Sequence, residues 1–185
     1  MLLTSYGETN ATGEFYVGDP SCKAFYSQVG QSFKGGGKKI TSVKFYIKKY
    51  GSPTGNLYAK IYAHSGAFGV SGIPVSTVLA TSDAVDVSLV SSSFGLVEFI
   101  LSEENKLLLT SETPYVVTFE YPTASGCSNY IGFAYDGDSP TYEGNFCYYT
   151  GSDWHSYGAD ASFYVYHEGT PTVGTKYPLP AFKVA

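Results

Sequence analysis

The sequence predicts an all-β protein, a single-domain antiparallel β-sandwich of jelly-roll type. Three observations carry this. Several short segments alternate apolar and polar residues with a period of two. Turn-forming Gly, Asp, Ser and Pro residues separate them at roughly 8–15-residue spacing. Aromatic residues reach 17% while charged residues are only 15%, a composition suited to pleated sheets with large side chains. No long stretch shows a capped 3.6-residue period, so little helix is expected. A chain of 185 residues is long enough for one domain with a real hydrophobic core.

The elements follow in order. Residues 1–22 are expected as a partly extended N-terminal segment, with a short apolar patch at Phe15 to Val17 as a first edge strand. The jelly-roll domain is expected over residues 23–169. In KITSVKFYIKK, Val43, Phe45 and Ile47 alternate with Lys44, Tyr46 and Lys48, so one face is wet. In LYAKIYAH, Leu57, Ala59, Ile61 and Ala63 point inward and Tyr58, Lys60, Tyr62 and His64 outward. The intervening GSPTGN has the composition of a hairpin turn. SGAFGVSGIPV reads as a Gly-rich loop, STVLATSD as a short strand, and LVEFILS as a strand with Val97, Phe99 and Leu101 on one face. TPYVVTFEYP is a strand with Tyr115, Val117 and Phe119 facing inward, ended by Pro122. SNYIGFAYD, NFCYYTG and ASFYVYHEG supply three more, with an acidic turn and an aromatic loop between them. Residues 170–185 form a Pro-containing extended tail, whose Tyr177, Leu179 and Phe182 are candidates for docking on a partner.

Charge narrows the partners. The net charge is −5, and all 11 basic residues are lysine, so no guanidinium fork is available for a phosphate or a guanine edge. Nucleic acid is not expected as a partner. No run of about 18 apolar residues suggests a membrane span, and the first residues lack the pattern of an export signal, so a soluble chain is expected. Cys22, Cys127 and Cys147 form an odd set without CxxC spacing. They read as single buried thiols, with one disulfide plus a free thiol as the alternative if the protein works outside a cell.

The stretch YDGDSPTYEGNFCYYTGSDWHSYGAD gathers most of the candidate chemistry. Trp154, Tyr149 and Tyr157 could stack on the apolar face of a sugar, while Asp153 and Asn145 bond its hydroxyls. Asp136 and Asp138 lie in a loop whose oxygens would suit calcium, although the same letters make an ordinary Asp-Gly turn and no cofactor is expected. His64, His155 and His167 come without a nucleophile elbow or similar signature, so an enzyme is not expected.

Residues 29–66, VGQSFKGGGKKITSVKFYIKKYGSPTGNLYAKIYAHSG, resemble the β-jelly-roll domains of tailed-phage virion proteins and of choice-of-anchor bacterial surface proteins. The likeness rests on the QSF strand, the SVKFYIKK strand, the GSPTGN turn and the AKIYAH strand. It extends through TPYVVTFEY and SFYVYHEG, and TKYPLPAF resembles the ending of phage proteins of this kind. The resemblance implies a non-enzymatic virion protein, a capsid decoration or tail module made in the host cytoplasm and docked in many copies on other virion subunits. Contact with glycans fits that role, and a carbohydrate-binding module of a surface or secreted protein is the alternative. The family brings no catalytic residues.

Overall fold

The computed structural model describes residues 1–23 and 25–169. In chain order the strands are β1 (Leu2–Tyr6), β2 (Gly13–Val17), β3 (Phe25–Tyr26), β4 (Gln28–Lys34) and β5 (Ile40–Tyr50). Next come β6 (Asn56–Ser65), β7 (Ile73–Thr81), β8 (Val85–Asp86), β9 (Gly95–Ile100) and β10 (Pro114–Glu120). The last are β11 (Tyr130–Asp136), β12 (Phe146–Tyr149), β13 (Trp154–Tyr157), β14 (Asp160–Ala161) and β15 (Phe163–His167). Three single turns of 3-10 helix, at Glu8–Asn10, Val87–Leu89 and Glu103–Asn105, complete the described elements.

Two sheets pack face to face as a β-sandwich. Sheet I runs β1-β15-β5-β11-β2-β3, with β9 also paired to β5 and β14 to β11. Sheet II runs β13-β12-β4-β10-β6-β7, with β8 added on β6. All pairings are antiparallel except that of β2 with β3. Seven phenylalanines, including Phe45, Phe99, Phe119 and Phe133, fill the space between the sheets and are fully buried. Phe45 has ring neighbours at 5.2 Å (Phe133), 5.7 Å (Phe99) and 5.9 Å (Phe119). Each such ring is worth about 2–3 kcal/mol on burial alone, so the interlocked set defines how the sheets stack.

The alternation read from the sequence places Val43, Phe45 and Ile47, Leu57, Ala59 and Ile61, and Phe99 and Leu101 in this core. Residues 1–22, expected as a partly extended segment with a strand at Phe15 to Val17, contribute two strands to sheet I: β1 pairs with β15 and β2 with β11, and Tyr6 and Val17 are buried. Two readings are corrected. Trp154–Tyr157 is a strand, not a loop. Cys22 and Cys127 are joined in a disulfide across 105 residues, which leaves Cys147 as a buried free thiol. Spacing along the chain carries no sign of that pairing, because the two cysteines sit in separate loops brought together only by the fold. The tail residues Tyr177, Leu179 and Phe182 lie outside the described residues.

Sheet II is covered on its outer face as well. Strands β7 and β13 are its opposite edges, yet they approach each other across that face. Gly30, Ser32, Val116, Thr118 and Glu120 are buried beneath them, and so is Tyr62, which alternation had placed in solvent. The sheet is therefore curled, with its outer side concave. That concavity positions the candidate site.

Candidate functional site

A cleft of about 520 Å³ lies on this concave face. Gln28 and Tyr62 form its floor. Residues 73–76 of β7 make one wall, and Tyr149, Ser152, Asp153 and Trp154 make the other. Tyr149 and Trp154 are direct partners in the β12–β13 hairpin, and Gln28 lies beside Tyr149 on β4. The two rings sit 5.4 Å apart at 43° to one another. The hairpin turn brings Ser152 and Asp153 to the rim. It uses Gly151 at φ 97°, a conformation few side chains tolerate, and Thr150 N donates to Asp153 O at 3.1 Å.

Behind the floor lies a polar cluster. Tyr62 Oη donates to Glu120 Oε1 at 3.0 Å, and Lys60 Nζ reaches Glu120 Oε2 at 2.6 Å. Glu120 is only 3% exposed, so its charge needs both partners. Burial pushes the Tyr62 phenol far above its usual range, and the neighbouring carboxylate adds to the effect. Thr118 Oγ1 is buried on the same face with no protein partner.

Of the five residues expected at a sugar site, the structure brings three together: Tyr149, Asp153 and Trp154. Tyr157 is excluded by the period of a strand. Trp154 faces the cleft, so the strand alternation turns His155 and Tyr157 the other way. There Tyr157 packs near Phe15 at 5.7 Å and Tyr135 at 6.4 Å, and His155 stacks on Tyr148 at 5.3 Å. Asn145 is 3% exposed and holds structure instead. Its amide accepts from Gly72 N at 3.0 Å and donates to Gly72 O at 2.9 Å, tying the 66–72 loop to the sheet. Replacing Asn145 by alanine is expected to lower stability by about 2 kcal/mol, because buried backbone groups at Gly72 lose their partners. Hydrogen exchange confined to the 66–72 loop should rise, and unchanged protection there would refute the role.

The acidic residues expected as metal ligands are separated in function. Asp136 is 3% exposed and accepts from Tyr6 Oη at 2.7 Å, Thr12 Oγ1 at 3.2 Å, and the backbone N–H groups of Asp138 and Ser139 at 3.1 and 3.2 Å. A carboxylate saturated by donors is poorly placed to face a cation. Asp138 is exposed, and no cluster of three or more potential ligands occurs among the described residues. Burial raises the Asp136 pKa, but these donors together outweigh it and hold the carboxyl below its ordinary range. Asp160, its direct partner on β14, behaves oppositely: burial raises its pKa despite bonds from Tyr142 N and Gln31 Nε2. Such a split is a mark of acid–base pairs in catalysis. Here both carboxyls are buried and engaged, and the adjoining hollow of about 120 Å³ is too small for a sugar.

On the outer face of sheet I a hollow of about 420 Å³ contains Glu8, Glu14, Tyr46, Lys48 and Phe94. Lys48 Nζ is 3.1 Å from Glu14 and sits over the Phe94 and Tyr50 rings, and Tyr50 Oη bonds Glu14 at 2.6 Å. His64 is half-buried rather than a plain surface group, and burial lowers its pKa. Comparison with known proteins finds no matching family model, no matching curated protein and no matching solved structure. The functional reading therefore rests on geometry.

Proposed function

We propose that the chain is a non-enzymatic jelly-roll module displayed on a virion surface, and that it binds carbohydrate in the cleft on the concave face of sheet II. The observation that carries the binding role is the Tyr149–Trp154 pair, held on a rigid hairpin above a floor of Gln28 and Tyr62. Aromatic faces take the apolar face of a pyranose, and amide, hydroxyl and carboxylate groups in the same cleft bond its hydroxyls. Rigid presentation matters because a platform already in place loses little entropy on binding. The Cys22–Cys127 disulfide supports display outside a reducing cytoplasm, as expected for a particle or cell surface.

Trp154→Ala is expected to weaken glycan binding by about 10–100-fold, since a truncated aromatic anchor typically costs about 2 kcal/mol or more. Tyr157→Ala, on the opposite face, should leave affinity unchanged. Calorimetric titration with glycans selected on an array measures both. Undiminished binding by the Trp154 variant would remove the cleft from the proposal. The virion placement is tested separately by quantifying the chain in purified particles, where its absence would refute it.

A further inference from the structure

We propose that the cleft accepts uncharged glycans and excludes anionic ones such as sialylated, uronate-capped or sulfated sugars, with Asp153 as the discriminating residue. This rests on the carbohydrate reading above and narrows it. Among the described residues that line the cleft, Asp153 is the sole charged group, and none is basic. Lys60, on the same face of sheet II, is taken by Glu120 at 2.6 Å. The floor is biased the same way: the Tyr62 hydroxyl proton is given to Glu120, so its oxygen has only lone pairs left to offer. Asp153 likewise only accepts when ionised. A neutral sugar, whose hydroxyls donate, satisfies both. A sugar carboxylate or sulfate is itself an acceptor. It meets a like charge at the rim, and the side-chain donors lining the cleft, the Gln28 amide, the Trp154 indole N–H and the Tyr149, Ser76 and Ser152 hydroxyls, are all uncharged. The absence of arginine from the whole chain removes the group best suited to recognising such anions.

The test uses the purified full chain and matched oligosaccharide pairs, each a neutral glycan and its sialylated, uronate-capped or sulfated counterpart, titrated at low and high salt. The neutral member should bind at least about tenfold more tightly at low salt, and the gap should shrink as salt screens the Asp153 charge. Asp153→Asn keeps the side-chain shape and should narrow the gap mainly by improving binding of the anionic member. Equal or tighter binding of the anionic member overturns the inference while leaving the carbohydrate reading standing, and so does a gap that Asp153→Asn does not change. Failure of every pair to bind overturns both.

Discussion

Reduction of the Cys22–Cys127 disulfide, or replacement of both cysteines by serine, is expected to lower stability by about 3–4 kcal/mol, one of the two largest effects anticipated here. The bridge spans 105 residues, so it removes a large loop-closure entropy from the unfolded chain. It also ties two loops that Gly126 N joins by donating to Asp19 Oδ2 at 2.9 Å. For a chain of this size the loss corresponds to a fall in Tm of about 10 °C. Cys147 does not complicate the measurement. It is fully buried, and burial pushes its thiol pKa far up, so it is a poor thiolate donor for exchange. Thermal unfolding with and without reductant should therefore separate wild type from itself but not the double-serine variant. If reductant leaves the wild-type midpoint where it was, the staple has no thermodynamic role and the argument for life in an oxidising setting loses its support.

What the sequence revealed follows from which forces are local. Val43, Phe45 and Ile47 show the inward face of β5 because a strand one side of which is wet must alternate. The same rule misplaced Tyr62, since the outer face of sheet II is covered by β7 and β13 arriving from its two edges. Thr118 and Glu120 are hidden for the same reason, and no short window of sequence contains it. Trp154 to Tyr157 has Gly, Ser and Asp on both sides, which reads as loop, and as a loop its aromatics could have shared one patch. Pairing with Phe146–Tyr149 makes it a strand and sends Trp154 and Tyr157 to opposite faces. The cleft was thus half legible: its aromatic wall is contiguous in sequence, while its floor at Gln28 and Tyr62 comes from strands far along the chain.

Asp136→Ala is expected to cost about 3–4 kcal/mol, because it strands the Tyr6 hydroxyl, the Thr12 hydroxyl and two backbone N–H groups around a carboxylate that is 3% exposed. Asp136→Asn retains one acceptor oxygen and should cost about 2 kcal/mol, which keeps the fold available for a pH comparison. The folded pKa of Asp136 is depressed, so its stabilising contribution is fully present above the unfolded value of about 3.9 and is lost as pH falls through the lower folded value. Asp160 is raised, so its contribution runs the other way: stability gains as pH drops from its folded value toward the ordinary carboxyl range, then levels off. Part of that elevation comes from the Asp136 charge and should weaken in the Asn variant. Urea midpoints from about pH 7 to about pH 2 should show the difference between wild type and Asp136→Asn closing at acid pH, once the wild-type carboxylate is itself protonated. A difference that persists unchanged to the lowest pH would mean that the donors around Asp136 do not depend on its charge. The residue would then act through shape alone, and the strand end beside Asp160 would owe its geometry to packing around Tyr6 and Tyr142.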